Sequence, residues 1–261
     1  MHIYDCFMYN GEDLILELRL NTLDKFVHKF VIVESCYDHQ GNKKKLYFNI
    51  KKFKKFKNKI NYIILDNFPK NLSNWDRENY NRNFLKKGIQ EANQNDYIMI
   101  SDLDEIPKIK NKNIFEKKKF TAFKQKMIYY KFNLQNVTEP NWFGTRVCKK
   151  KYLKSPQWLR DKKVKKYSLW RFDKIDWNII NDGGWHFSFV MSNKDIINKI
   201  KSFAHSEFNN QKYLKKDFIK KKIAEKKDIF NRKIKFEKIK NEKKLPSYLT
   251  KNKIKFRSLM I

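Results

Sequence analysis

The sequence predicts an α/β protein with a mostly parallel central sheet. Short apolar runs of strand length alternate, over the first hundred residues, with segments whose apolar residues recur at helical spacing. Such alternation builds parallel sheets with helices on their faces. A second observation points to a site on that sheet. The run YIMIS at 97–101 leads into DLDE, three carboxylates within four positions. The chain around it carries 60 Lys+Arg against 28 Asp+Glu, a formal net charge of +32. Acids gathered at the carboxyl end of a strand stand where open α/β sheets bind their ligands.

The elements follow in order. HIYDCFMY, His2 to Tyr9, reads as a strand, and Asn10-Gly11 as a turn. Leu16, Leu20, Leu23 and Val27 share a helical face, which places a helix over Glu12 to Lys25. KFVIVES, Lys29 to Ser35, is a continuous apolar run ending in polar residues, as a buried parallel strand reads. A polar loop with Gly41 follows, then a strand over Ile60 to Leu65. Asp76 can cap a helix whose apolar face is Tyr80, Phe84, Leu85, Ile89 and Ala92. Tyr97 to Ser101 is the next strand. Past Pro107 the pattern changes. Phe120 to Phe132 reads as a strand or hairpin, Asn133 to Arg146 as a loop, and Lys165 to Trp177 as strand-rich. A turn at Asn181 to Gly184 precedes a helix opened by Ser192, with Asp195 placed for a capping box. Its face is Ile196, Ile197, Ile200, Phe203 and Ala204. Leu214 to Lys240 is lysine-rich and helical in pattern, with a thin apolar stripe. No Gly/Ser/Pro-rich linker divides the chain, so residues 1–210 form one domain and 211–261 a basic, helical C-terminal arm.

Composition sets further bounds. The chain is 41% hydrophobic and 16% aromatic, enough for a packed core in 261 residues. No apolar run reaches membrane-spanning length. The start, MHIYDCFMYNGED, lacks the basic and long apolar segments of a signal peptide. Cys6, Cys36 and Cys148 are isolated and odd in number, which argues against a disulfide framework or a cysteine zinc site and for a reducing compartment. A cytoplasmic location is expected. The positive charge has two readings. Lysine is used throughout with Asn and Ile, as an AT-rich genome would dictate. Alternatively it attracts an anionic membrane, nucleic acid or a phosphorylated substrate. The block Lys212 to Lys244 is the most basic and marks a peripheral contact with the inner face of an anionic membrane. No zinc-finger spacing or aromatic RNA-binding signature accompanies it, so specific nucleic-acid binding is not expected.

Asp102 and Asp104, one residue apart, can put two carboxylates on one side of an extended segment. Close like charges repel unless a cation sits between them. Hard oxygen ligands favour Mg²⁺ or Mn²⁺, and such an ion commonly bridges to a diphosphate. An acidic turn capping the next helix would give the same three letters.

Five pieces in order resemble glycosyltransferase family 17, the β-1,4-mannosyl-glycoprotein 4-β-N-acetylglucosaminyltransferases and their microbial relatives. They are IYDCFMYNGEDLILELRLNTL (3–23), FVIVESCYDHQGNKKKLYF (30–48), RENYNRNFLKKGI (77–89), DYIMISDLDEIP (96–107) and NDGGWHFSFV (181–190). The resemblance implies a GT-A-like, Rossmann-type nucleotide-sugar fold and a UDP-sugar donor, UDP-N-acetylglucosamine. It also implies Mn²⁺ or Mg²⁺ at the D-x-D, and inversion at the anomeric carbon. No membrane anchor of the kind found in the animal Golgi enzymes is expected. The acceptor glycan does not carry over.

The candidate site is then Asp102 and Asp104 with the following groups. The resemblance makes Glu34 and Ser35 contacts for ribose or uracil; a polar strand end with local hydrogen bonds is the other reading. Arg77 and Arg82 carry guanidinium forks suited to a diphosphate. Arg82, inside the matched N-R-N, is favoured. Gly183 and Gly184 permit a tight turn and close backbone approach to a ligand. His186 can be a third metal ligand. Trp185 stacks on a sugar ring or fills the core. An inverting transfer needs one carboxylate as general base. Asp182, on the turn before His186, is the first choice and Glu105 the second. Glu207 lies at the edge of the resemblance. His39 reads as an exposed loop residue, with contact to donor or acceptor as the other reading, and His205 and Glu207 as structural, with a place in the site as the other reading.

The leading function is therefore a metal-dependent, inverting transfer of N-acetylglucosamine from a UDP donor to a glycan hydroxyl. A metal-dependent nucleotidyltransferase or phosphohydrolase would use the same acids. A non-enzymatic basic module for anionic polymers would explain the charge but leave the acids and the Gly-Gly-Trp-His run without a purpose.

Overall fold

The computed structural model describes residues 1–164, 175–202 and 211–261. Its first part follows the sequence pattern. β1 (Ile3–Met8), α1 (Asp13–Leu23), β2 (Lys29–Ser35), β3 (Ile60–Leu65), α2 (Asn74–Phe84) and β4 (Tyr97–Ile100) come in that order. β1 pairs in parallel with β2 and with β4, and β2 with β3. The resulting order, β3-β2-β1-β4, steps outward on one side of β1 and then crosses to the other. That reversal opens a crevice above the carboxyl ends of β1 and β4.

α2 differs from its expected form. Its cap is Ser73, whose Oγ accepts the Asp76 N–H while the Asp76 carboxylate accepts the Ser73 N–H in return. This is a capping box with Asp76 inside the helix. The expected apolar face is split, because Leu85 and Ile89 belong to a tighter 3₁₀ turn that changes the helical phase. α2 itself buries Asn81 and Arg82.

Beyond β4 the sheet continues as β5 (Glu105–Pro107), β6 (Phe120–Tyr129), β7 (Leu134–Asn136) and β8 (Asn141–Lys149). α3 (Pro156–Asp161), β9 (Trp177–Ile180), β10 (Gly184–Ser188) and α4 (Asn193–Ser202) follow. The sheet is mixed, which corrects the expectation of a mostly parallel one. β8 lies between β4 and β6 and is antiparallel to both. β7 is antiparallel to β6, and β10 is antiparallel to β5 but parallel to β6. Short connections between β6, β7 and β8 allow only antiparallel pairing. The segment expected to be a loop, Asn133 to Arg146, supplies β7 and much of β8. Its Asn, Gly and Arg residues are weak strand formers, but pairing on both sides at the sheet's centre overrides that preference. Of the strand-rich stretch expected over 165–177, residues 165–174 lie outside the described residues, as do Phe203, Ala204, His205 and Glu207.

The C-terminal segment is part helix and part strand. α5 (Lys216–Ala224) is followed by β11 (Phe236–Lys238), which pairs with β7 at the sheet edge. α6 (Ser247–Lys251) and α7 (Lys253–Phe256) bring Leu249 and Phe256 into the main core. The Tyr248 hydroxyl donates to Glu17 on α1 at 2.7 Å. Each sheet face has its own core, as strand alternation dictates. Phe7 and Phe30 pack with Leu16 on one face, and Cys6, Val31 and Ile98 with Leu85 on the other. Burial pushes the Cys148 thiol up to about 12.

Candidate active site

The site is built around the DLDE segment that joins β4 to β5. A buried guanidinium holds three of its backbone carbonyls. Arg19, on α1, is fully buried. Its Nη1 donates to the carbonyls of Asp102 at 2.9 Å and of Leu103 and Glu105 at 3.0 Å. Its Nε and Nη2 grip Asp5 of β1 at 2.8 and 2.6 Å. A guanidinium has five donors in a fixed plane, so it can serve a carboxylate and a loop backbone at once.

Glu105 is an internal brace. It is fully buried, and it accepts the Asp102 N–H at 2.9 Å, the Trp142 indole N–H at 2.6 Å and Arg160 at 2.5 Å. Asp102 lies between two guanidinium groups, Arg82 at 3.2 Å and Arg160 at 2.8 Å. Burial alone would raise its carboxyl, but Arg160 and then Arg82 outweigh it and hold it well below the usual carboxylate range. Asp104 turns the other way, towards Lys199 at 3.4 Å and His186 Nε2 at 3.6 Å. Burial would lower the Lys199 ammonium, but Asp104 and Glu12 raise it above its ordinary value.

These groups line a cleft of about 350 Å³ at the carboxyl ends of β1, β2 and β4. Tyr9 and Glu12 come from β1 and the turn after it, Ser35 and His39 from β2 and its loop, and Asn81 and Arg82 from α2. His186 and Lys199 close the far side. A larger groove of about 750 Å³ between α2 and residues 150–155 holds none of the predicted site residues. Size is therefore a poor guide here, and the chemistry lies in the smaller cleft. Among the described residues, buried side-chain atoms without a hydrogen-bond partner concentrate in it. His39 Nδ1, Asn81 Oδ1, Arg82 Nε and His186 Nδ1 all belong to cleft residues, four of the seven such atoms. Buried polar atoms rarely go unpaired without a reason.

The structure brings Ser35, Arg82, Asp102, Asp104 and His186 together. The other predicted residues stand elsewhere. Glu34 is buried behind Ser35 and accepts from the Tyr47 and Phe48 N–H groups and the Tyr62 hydroxyl, which ties the 43–48 loop to β2. Arg77 donates to the His39 carbonyl and packs over Gly41. Gly184 has φ +117°, and a Cβ there would strike the Ile106 carbonyl, so this glycine serves the β5–β10 pairing. A Cβ at Gly183 would lie 2.7 Å from the Ile180 carbonyl. Trp185 is buried, with its indole N–H on the Lys244 carbonyl at 2.7 Å; of its two readings, the structure gives the core. Asp182 lies before β10, at the opposite end from the cleft-lining Ser188, and is ion-paired with Lys108 at 2.6 Å and with Lys126. Burial would raise its carboxyl, but the two lysines lower it. It is not among the residues that line the cleft. Neither Asp182 nor Glu105 is placed here to take a proton from a ligand in the cleft.

Sequence reasoning missed Arg19, Arg160, Glu12 and Lys199 and placed His39 outside. Arg19 and Arg160 carried a usable signal, since arginine is sparing in so lysine-rich a chain. Lys199 is indistinguishable among its many like neighbours. His39 lines the cleft, and burial lowers its pKa.

The fit of a divalent cation is specific. Among the described residues, no three His, Cys, Asp or Glu side chains stand close enough to hold an ion by themselves. Asp104 and His186 nevertheless converge, with the His186 Nε2 3.6 Å from the Asp104 carboxylate. Mg²⁺ and similar ions often take only one or two protein ligands and complete their shell with water and phosphate. Both Asp102 oxygens are already on guanidinium groups. Asp104 and His186 thus fit such an ion better than the D-x-D pair as a unit.

Comparison with known proteins bears on the whole chain. The family model described as glycosyltransferase family 17 matches residues 1–260. No curated protein matches.

Proposed function

Because the chain belongs to glycosyltransferase family 17 and is a glycosyltransferase, we propose that the cleft transfers a sugar from a UDP donor to a glycan hydroxyl with inversion at the anomeric carbon. N-acetylglucosamine is the sugar the resemblance implies. The observation that carries this reading is the gathering of unpartnered buried polar atoms beside Arg82 and Lys199, above the strand-order reversal between β1 and β4. That reversal supports a GT-A-like, Rossmann-type nucleotide fold. Cationic side chains suit the diphosphate, and Ser35 and His39 at the end of β2 suit its nucleoside.

Asp104 and His186 would hold the Mn²⁺ or Mg²⁺. When bound, that ion stabilises negative charge on the leaving diphosphate. The chain's own part is to bind, orient and take the proton. Glu12 lines the cleft; among the described residues it accepts only the Asn10 N–H, at 3.1 Å, and has no ion-pair partner. We assign it as the base. It takes the acceptor hydroxyl's proton as that oxygen bonds to the anomeric carbon. The bond from this carbon to the diphosphate oxygen breaks, and UDP leaves with the electron pair. Arg82 and Lys199 meet the charge on it.

Peripheral contact of residues 211–261 with an anionic membrane belongs to the same proposal. Lys215, Lys216, Lys220 and Lys221 are exposed there, and no helix among the described residues is long and apolar enough to cross a membrane.

The test is turnover. The protein is incubated with a panel of UDP-sugars, Mn²⁺ and oligosaccharide acceptors, and UDP release is measured with and without chelator. Metal-dependent release from one UDP-sugar, raised by an acceptor, is the expected result. No UDP release from any donor would refute it.

A further inference from the structure

Trp142 is a large aromatic residue that the mechanism above does not use. It lies on β8 and is 42% exposed. An exposed indole alone means little. This one is fixed in place. Its N–H donates to the fully buried Glu105 at 2.6 Å, and Glu105 is in turn held by Arg160 and the Asp102 N–H. The ring is therefore anchored by its polar edge to the same network that shapes the D-x-D, while much of it stays open to solvent. Its centroid lies 5.5 Å from that of His186, tilted by 42°. His186 Nε2 in turn lies 3.6 Å from the Asp104 carboxylate.

We infer that Trp142 is the platform on which the donor's sugar ring stacks. The inference rests on the proposed function, since it takes the diphosphate to lie at Asp104 and His186. The sugar bonded to that diphosphate must sit within one ring of it, and Trp142, an exposed aromatic just outside the residues that line the cleft, packs against His186. The axial C–H bonds of a pyranose carry partial positive charge, and the indole face is the negative end of its quadrupole. The buried hydrogen bond keeps the ring from rotating away, so ordering it costs little on binding. Trp185, the sequence's own stacking candidate, is buried in the core and cannot do this.

The experiment compares UDP with UDP-N-acetylglucosamine by calorimetry, in the presence of Mn²⁺, for wild type, Trp142→Ala and Trp142→Phe. The readout is the ratio of the two dissociation constants in each protein. Trp142→Ala is expected to weaken the sugar nucleotide relative to UDP by about fivefold to tenfold, the range of an aromatic contact. UDP itself should bind as before. Trp142→Phe keeps a ring but loses the N–H, and it should retain most of the wild-type ratio. An unchanged ratio in Trp142→Ala overturns the proposal. So does equal loss in the Phe and Ala variants, because that would trace the effect to the Glu105 hydrogen bond. Failure of wild type to bind either nucleotide would instead overturn the functional reading beneath it.

Discussion

Asp102 and Asp104 are the same residue two positions apart, yet they do different work. Asp102 is locked between Arg82 and Arg160, and Asp104 faces Lys199 and His186. The same divergence separates the candidate bases. Glu12 lines the cleft, with one oxygen that takes no hydrogen bond among the described residues, and Asp182 sits outside it between two lysines. Glu12→Gln should lower turnover by about 10²–10⁴-fold, the usual contribution of a positioned base, with UDP affinity little changed. Asp182→Asn should keep near-normal turnover. Steady-state kinetics on both variants checks the pair, and the opposite ranking would return the role to Asp182. At this scale the sequence pointed to Ser35, Arg82, Asp102, Asp104 and His186, which the fold gathers in one cleft, but not to the partners of each. A motif names residue types, but the partner that commits each carboxylate comes from distant parts of the chain. Arg160 lies 58 positions from Asp102, and no local spacing announces it.

At the scale of elements, α1 and the DLDE loop are one unit through Arg19. Removing one partner of a fully buried ion pair strands the other charge, a loss of about 3–5 kcal/mol. Arg19→Met should therefore lower stability by that order in urea titration and abolish turnover along with it. A variant with wild-type stability would contradict the role given to Arg19. The boundaries of β2 and β3 were read correctly, and those of β1, α1 and β4 to within two residues, because each is an apolar run or stripe with one clear period. β8 was not legible. Its residues 141–146, NWFGTR, show no clean alternation, and it is a strand because β4 and β6 flank it. The phase of α2 was missed for a similar reason: its buried face is Asn81 and Arg82, polar residues turned towards the cleft.

At the scale of the whole molecule, charge sets the response to acid and to surfaces. Asp24, Asp96, Asp102 and Asp182 all have carboxyl pKa values below the ordinary 3.8 in the fold. A folded-state pKa below the unfolded one gives stability that is present above the unfolded value and lost as pH falls through the folded one. Thermal unfolding should thus be nearly flat above about pH 5 and fall steeply below about pH 4, where these groups protonate while the lysines stay charged. A midpoint that does not fall between pH 5 and pH 3 would contradict these assignments. The basic segment 211–261 should sediment with phosphatidylserine vesicles at low salt and release as salt rises, at about 1 kcal/mol per lysine near the surface. Binding indifferent to salt or to anionic lipid would remove the membrane proposal.

The central claim is that the donor's diphosphate binds at Asp104 and His186 through a divalent cation. Calorimetric titration of UDP into wild type and Asp104→Asn, each with Mn²⁺ and with chelator, tests it most directly. The account predicts that wild type binds UDP with Mn²⁺, that chelator weakens this binding, and that Asp104→Asn loses at least about tenfold in affinity, about 1.4 kcal/mol, at unchanged melting temperature. Equal UDP affinity in the two proteins, with or without chelator, would contradict it.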